Sequence, residues 1–396
     1  MTGQVLLAGA SVRSLAESAV AAGLHPICTD FFGDRDLLEL LKCCGGQFLG
    51  RLDSFADLPG LLQAVPLAIP LCWAGGLENS PQVLHELHAS GRLVSGGSPA
   101  AVSDVRQWRN LSRWVAGTGV RFPETVSAGF ERSDGAWLLK PERSAGGAAV
   151  FRCSGSGNFL SSVEAGGMLR QRYVAGIPIS MMFLMRAGRA WLLGASLQFC
   201  GWPSLGAGQR EFLWCGNGGP VTLPKELQAM ATAAACAIAS GAGLCGVCGL
   251  DFVLSGGELW LLEVNPRIPA SHWIYDWGCR GLSLRLHLGL DLPEPVLAGR
   301  GGFRMQMVVW YPEHSEAARA MPVPDDLPEG VRLADQPEAM EVMPGAPAFS
   351  LLTEACSPEG ALQVLREARR SGACGEFWEL ASHDFASVLQ EFQRHL

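Results

Sequence analysis

The chain has 396 residues, 48% of them hydrophobic and 17% charged; that length and composition support two or three buried cores and exclude a disordered chain. A formal net charge of −8 excludes a nucleic-acid backbone as the main partner, since that partner needs a basic surface. No apolar run reaches the roughly 18 residues a membrane span requires, and the start "MTGQVLLAGASVRS" lacks a basic leader and a long apolar stretch, so a cytoplasmic chain without a membrane partner is expected.

The first elements form a βαβ pattern. Val5 to Ala8 predicts a strand ending at Gly9, "SVRSLAESAVAAG" a helix stopping at Gly23, and "LHPICTD" a second strand ending at Asp30. The turn lacks G-x-G-x-x-G, because Ser11 and Arg13 fill it, so a nicotinamide site is not expected. The loop after Asp30 and the later turn "WAGGLENSP" are expected on one edge of this sheet, where open α/β sheets bind ligands. Asp30, Glu78 and Asn79 are then candidate substrate groups, or solvated loop residues and helix caps.

A helix is predicted from about Ser103 to Ala116, capped by Ser103 or Asp104, followed by an exit at Pro123. "AWLLKPERSAGGAAVFRC" reads as strand, glycine-rich hairpin, strand. The segment 168–199 reads as a run of antiparallel strands with turns at Ala175-Gly176 and Ala187-Gly188. A helix ending at Gly241 precedes a hairpin that turns at Ser255-Gly256-Gly257. The last hundred residues mix short strands, the prolines Pro322, Pro324 and Pro328, and a helix from about Pro358 to Ser371.

The 13 cysteines are odd in number and lie in apolar stretches, so they read as reduced, mostly buried thiols. Cys245 and Cys248 form a C-x-x-C, but zinc would need a second pair, and Cys43 and Cys44 lack ligand spacing. Only three of the 30 basic residues are lysine: Lys42, Lys140 and Lys225.

Three clusters carry chemistry. Lys140 ends a strand, and the small residues Ser144, Ala145, Gly146 and Gly147 follow; such a loop either turns a hairpin or lets backbone N–H groups approach phosphate oxygens. "LRQRYVAG" is a core strand or an edge that can hydrogen-bond a flat base. Asp251 and Glu263 lie twelve residues apart across a hairpin, and Asn265 shares the face of Glu263 if the strand continues. Three oxygen donors on adjacent strands suit Mg²⁺, and a carboxylate at the end of "LWLL" needs a compensating partner. No Ser-His-Asp or Cys-His nucleophile is evident.

A lysine before a glycine-rich loop, an adenine-edge strand, then D-x₁₁-E-x-N-P-R together resemble the ATP-grasp ligases over roughly residues 1 to 290. The tail piece "DQPEAMEVMPGAPAFSLL" is similar to the subgroup of predicted ATP-dependent carboligases, some associated with one-carbon carrier cofactors. The resemblance implies an α/β and α+β protein. It would have a Rossmann-like pre-ATP-grasp domain (1–102), an ATP-grasp domain with antiparallel sheets (103–290) and a C-terminal α+β extension (291–396).

It further implies ATP and Mg²⁺ as cofactors, with Mn²⁺ as an alternative ion, and small-molecule carboxylate and amine substrates; a homodimer is admitted. Lys140 would contact ATP phosphates and act in catalysis, Ser144 to Gly147 would cover them, and Gln171, Arg172, Tyr173 and Val174 would take the adenine. Asp251, Glu263 and Asn265 would hold the metal, and Arg267 would stabilise the transferred phosphoryl group. Two positions depart from the family: Arg106 stands nearest the usual second phosphate-binding lysine, and Gln171 and Pro178 replace acids at the hinge and ribose positions. The implied activity is a carboxylate–amine ligase working through an acyl phosphate and releasing ADP and phosphate, with an amino acid such as glutamate added to a cofactor precursor. A kinase, a carboxylase and an inert nucleotide-binding regulator stay open. His272 would touch substrate or pack, as would Ser271 and Asp276.

Overall fold

The computed structural model describes residues 3–127, 136–153, 167–276, 281–290, 301–311, 327, 329–337, 344–368 and 375–396. Strands β1 (Gln4–Ala8), β2 (His25–Asp30), β3 (Gln47–Arg51) and β4 (Leu71–Trp73) form a sheet of order β3-β2-β1-β4. Every pair in it is parallel. Parallel strands need crossovers that cover the sheet faces, here α1 (Arg13–Ala21), α2 (Arg35–Cys44), α3 (Leu58–Leu61) and α4 (Pro81–Ala89). Alternate residues of β1 therefore enter different cores, Val5 and Leu7 on one face, Leu6 and Ala8 on the other. Gly9 serves packing: a Cβ there would overlap Ala74. Ala10 N–H donates to the Gly75 carbonyl at 2.8 Å and Phe31 N–H to the Ala10 carbonyl at 3.2 Å. The loops after β1, β2 and β4 are thus zipped along one edge, as the sequence predicts.

The segment expected as one helix from Ser103 is two, α5 (Pro99–Val105) and α6 (Trp108–Val115). The cap is Ser98, whose side chain accepts from Ala101 N–H, with Pro99 in the first turn, a pairing that favours helix starts. The break falls at Arg106 and the extended Gln107. Asn110 Nδ2 donates to the Asp104 carbonyl at 3.1 Å, adding to the Gln107 N–H already on it at 3.2 Å.

Two antiparallel sheets follow. The smaller has order β5-β8-β6-β7, from β5 (Thr125–Ser127), β6 (Trp137–Pro141), β7 (Phe151–Arg152) and β8 (Met168–Arg172). The larger begins with β9 (Ile177–Arg186) and β10 (Arg189–Cys200), a hairpin turning at Ala187 and Gly188, both at positive φ. The expected turn at Ala175-Gly176 is not a hairpin, because β8 and β9 belong to different sheets. Gly176 packs against the Leu254 carbonyl too closely for any Cβ.

The larger sheet has order β13-β12-β9-β10-β11-β14-β16-β15. It takes in β11 (Trp214–Val221), β12 (Gly246–Ser255), β13 (Glu258–Asn265), β14 (Phe303–Trp310), β15 (Val331–Ala334) and β16 (Pro347–Ala355). Strands from the last hundred residues thus extend the sheet that carries Asp251 and Glu263. Between β11 and β12 runs α7 (Lys225–Ala242), whose Ala231, Ala234, Ala235, Ile238 and Ala239 pack into the sheet core. It ends at Gly243, in the left-handed region at φ 68°, and not at Gly241. Gly241 is helical and makes room for the Trp114 indole.

After β13 come α8 (His272–Asp276) and α9 (Leu282–His287). The C-terminal helices are α10 (Pro358–Ala368) and α11 (Gly375–His395); the sequence periodicity marks the first and misses the second. Trp378 and Phe385 of α11 are fully buried in the core of the larger sheet. The expected prolines 322, 324 and 328, residues 369–371 of the expected helix, and 338–343 of the tail piece lie outside the described residues. Among the described residues no helix is long and apolar enough to cross a membrane.

Candidate active site

A cavity of about 1130 Å³ opens between the two antiparallel sheets and the loop edge of the parallel sheet. Arg106, Lys140, Ser144 to Gly147, Gln171 to Val174, Asp251, Glu263, Asn265 and Arg267 all line it. The structure therefore brings the residues named for nucleotide, metal and phosphoryl contact to one space, together with Ser271 and His272, whereas Asp30, Glu78, Asn79 and Asp276 do not line it.

Its floor is the β12–β13 hairpin. Asp251 and Glu263 are direct cross-strand partners, and β13 continues to Asn265, which pairs with Gly249. A register shift just beyond the acid pair leaves Leu262 without a partner, a bulge that re-aims the following side chains. Asp251 is 8% exposed. Its Oδ2 accepts from Asn265 Nδ2 at 2.8 Å, and its buried Oδ1 has no hydrogen-bond partner among the described residues, the nearest polar neighbour on β9 being Ser180, its cross-strand partner. Burial first and the Glu263 charge second push its carboxyl up to about 6.

An orphaned carboxylate oxygen facing a second, half-exposed carboxylate is an arrangement a divalent cation fits. Asn265 turns its Oδ1 to Arg267 Nη2 at 3.1 Å, so its oxygen joins a metal only after the amide rotates. No group of three or more His, Cys, Asp or Glu side chains is arranged to hold a metal among the described residues; two carboxylates and an amide make up the donor set here.

The cations come from three elements. Lys140, near the end of β6, donates to Gln171 Oε1 at 3.1 Å, and Gln171 Nε2 donates to Thr125 Oγ1 at 3.0 Å. Gln171 is 2% exposed, so its amide aims Lys140 and is not free for a base. Burial, then Arg106, lower the Lys140 ammonium below its ordinary value, with Glu263 opposing. Arg106 emerges where α5 breaks. Its Nη2 donates to the Ser144 carbonyl at 2.8 Å and to Asn79 Oδ1 at 3.2 Å, and its Nη1 lies 3.6 Å from Glu263 Oε2. Arg267 lies over Gly75, where a Cβ would come within 3.1 Å of it. It donates to Glu78 Oε1 through Nη2 at 3.2 Å and Nε at 3.3 Å.

Asn79, a candidate for substrate contact, is thus taken by Arg106; Glu78, the other, gives Oε1 to Arg267, while its buried Oε2 has no hydrogen-bond partner among the described residues. Asp30 is also spent: its oxygens accept from Val12, Phe32 and Gly33 N–H groups at 2.8 to 3.1 Å. The glycine-rich loop is held by Trp214 N–H on the Gly146 carbonyl at 2.8 Å. Gly147, at φ 70°, has no room for a Cβ beside the Phe212 carbonyl.

On the segment expected to take adenine, Tyr173 N–H already donates to the Ala136 carbonyl at 2.7 Å. The Tyr173 ring lies under the Arg152 guanidinium at 3.8 Å, and Arg152 pairs with Glu211. Arg172 N–H is likewise held, on the Glu124 carbonyl at 2.8 Å, and its guanidinium lies over the Trp137 ring at 6.0 Å; Val174 also lines the cavity.

His272 and Asp276, named from the sequence as touching substrate or packing, join Ser14 in a Ser-His-Asp chain that the sequence does not show. Ser14 Oγ meets His272 Nε2 at 3.1 Å, and His272 Nδ1 meets Asp276 Oδ2 at 3.2 Å. Asp276 also accepts from Ser18 Oγ at 2.5 Å and Ser283 N–H at 2.8 Å. Burial raises its carboxyl, but His272, Ser18 and Ser283 outweigh that and hold it below its ordinary value. Ser14 and His272 are 258 residues apart, so no spacing in the sequence could announce the chain. It clamps α1 against α8, directly after the Arg267 loop. Cys245 and Cys248 are free thiols bonded to backbone carbonyls, Cys245 to Gly96 and Cys248 to Cys245.

Residues 107–271 match the family model of the ATP-grasp domain. No curated protein matches the chain. Among solved structures, the biotin carboxylase domain of Hydrogenobacter thermophilus 2-oxoglutarate carboxylase gives a TM-score of 0.68 at 14% identity, covering 92% of this chain and 89% of that one. It is a dimer in complex with MgADP, ADP and bicarbonate. Biotin carboxylase from Campylobacter jejuni gives 0.66 at 14%, covering 92% and 90%. N5-carboxyaminoimidazole ribonucleotide synthetase from Thermus thermophilus gives 0.65 at 18%, covering 92% and 98%. At these identities the likeness is one of fold.

Proposed function

We propose that this chain, an ATP-grasp domain protein with a fold like that of biotin carboxylase, is an ATP-dependent ligase joining a carboxylate to an amine. ATP would phosphorylate the carboxylate and leave as ADP. The amine would then attack the acyl carbon, lose a proton and displace phosphate. The observation that carries the reading is the Asp251–Glu263 cross-strand pair, with its orphaned Asp251 oxygen, in one cavity with Lys140, the glycine-rich loop and Arg267.

Lys140, aimed by Gln171, would bind ATP phosphate oxygens as a compact charge. The loop 144–147 would cover them with backbone N–H groups. Arg106 links that loop to Glu263 and Asn79, so it would hold the loop and the acid in one arrangement. Mg²⁺ bound by Asp251 and Glu263, with Asn265 as a third donor, would neutralise the phosphate charge. Arg267, fixed by Glu78, would direct its guanidinium at the transferred phosphoryl group, where a preorganised charge lowers the barrier. The protein's work is positioning and neutralising.

A carboxylase is the second reading. The Hydrogenobacter domain holds bicarbonate beside MgADP, and the same nucleotide site would serve a bicarbonate acceptor. A homodimer is proposed by analogy with that domain. The deciding experiment measures ADP and phosphate release with MgATP over paired carboxylates and amines, with and without bicarbonate. Release that needs both a carboxylate and an amine supports the ligase. Release driven by bicarbonate supports the carboxylase, and a stable phosphorylated product would identify a kinase.

A further inference from the structure

Asp34 stands at the N-cap of α2, where an aspartate ordinarily accepts from the first-turn N–H groups. It makes no such bond. The residue is 4% exposed, lines the cavity, and its Oδ2 has no hydrogen-bond partner among the described residues.

The acids around it are already served. Asp30 holds three backbone N–H groups, and Asp36 accepts from Asp335 and Gln336 N–H at 3.0 and 3.1 Å. Asp335, just past β15, takes Arg13 Nε at 2.6 Å. Arg13 also reaches Glu17 at 3.0 Å and Asp36 at 3.4 Å, so its charge is shared among three carboxylates. Asp34 is the acid left over. Burial first, then Asp335, Asp30 and Asp36, push its carboxyl up to about 8, with Arg13 opposing weakly. A buried carboxylate in this state lacks a cation.

We infer that the arm of the cavity walled by Phe32, Asp34, Arg13 and Asp335 is the subsite of the amine substrate, and that the Asp34 carboxylate receives its ammonium group. The inference rests on the ligase reading for the existence of an amine. A metal is the poorer occupant, because Asp30, Asp36 and Asp335 are already held by N–H groups and Arg13, which leaves Asp34 as a single carboxylate donor. A primary ammonium needs one carboxylate and tolerates the ring of Phe32 beside it.

The test uses the full chain, wild type, Asp34→Asn and Asp34→Ser, saturated with MgATP. The serine variant offers a hydroxyl suited to the N-cap should the asparagine variant fold poorly. The probes are glycine, L-alanine, L-glutamate, L-lysine and putrescine, with acetate, propionate and glutarate as deaminated controls and CaCl₂ as a metal control. Melting temperature and ADP release are the readouts.

The expected result has three parts. At least one amine raises the wild-type melting temperature beyond MgATP alone, and the deaminated acids do not. Both variants keep the MgATP response but need roughly tenfold or more of that amine for the same effect. Equal amine dependence in wild type and variants overturns the inference. So does a wild type that answers MgATP but no amine, which leaves the nucleotide site standing. A response to CaCl₂ alone that the variants lose overturns it in favour of a metal. A wild type that ignores MgATP sinks both this inference and the ligase reading beneath it.

Discussion

Glu78 and Arg267, 189 residues apart in the chain, meet at 3.2 Å where the loop edge of the parallel sheet touches the end of β13. The carboxylate is 1% exposed and the guanidinium 12%. Breaking a buried pair leaves a charge without compensation, so Glu78→Ala should lose about 3 kcal/mol of stability. Arg267→Lys keeps the charge but loses the fork that holds Glu78 and Asn265 together. Its kcat should fall roughly a hundredfold, with ATP affinity changed far less. Urea unfolding and ADP release check the pair; unchanged kcat in Arg267→Lys would remove Arg267 from the chemistry.

Arg106 reaches the cavity because α5 stops one residue before it. Lys140→Ala and Arg106→Ala should each weaken ATP binding by roughly tenfold by calorimetry, as loss of a charge-assisted phosphate contact does. Arg106→Lys should recover little, since one ammonium cannot hold Ser144, Asn79 and Glu263 at once. Full recovery would mean that only the charge counts.

Gly146 and Gly147 share a φ of 70° but differ in surroundings. A Cβ on Gly146 meets nothing within 4 Å, whereas one on Gly147 meets the Phe212 carbonyl. Gly146→Ala should cost about 1 kcal/mol through backbone strain alone. Gly147→Ala should cost more and displace the loop, weakening ATP binding further. Equal effects in the two variants, by thermal unfolding and calorimetry, would deny the close approach.

Those local features explain what the sequence revealed. Asp251 and Glu263 are joined by a two-residue turn, and Lys140 runs directly into its loop, so spacing alone predicts their meeting. The Glu78–Arg267 pair, the Ser14–His272–Asp276 chain and the Asp34 pocket depend on contacts made by distant segments. No local pattern carries them. Glycines misled for the same reason: Gly241 reads as a helix stop, yet it is small because Trp114 packs on it. The break before α6 has no proline or glycine to mark it. Strands β14 to β16 join the larger sheet by long-range pairing, which an inspection of the tail by itself does not show.

His287 gives a pH dependence. The ring is buried, and its Nδ1 accepts from Val247 N–H at 2.9 Å. Burial lowers its pKa to about 4. The unfolded chain binds a proton near pH 6.5, before the folded one does, so stability falls as pH drops from about 6.5 to 4, by about 3 kcal/mol at most. Above that window the contribution is fully present. His287→Asn should remove this slope. Urea unfolding of wild type and variant at about pH 7 and pH 4.5 checks it; a difference that does not change with pH would contradict it.

The acid pair of the β12–β13 hairpin is the centre of the account, and calorimetric titration of ATP into wild type and Glu263→Gln, each with and without Mg²⁺, tests it most directly. The substitution is isosteric at a half-exposed position, so the variant should fold and melt close to wild type. Mg²⁺ should tighten ATP binding in the wild type by roughly tenfold or more; in Glu263→Gln this gain should disappear, and ADP release with it. An equal Mg²⁺ effect and normal ADP release in the variant would contradict the metal site and the ligase mechanism built on it.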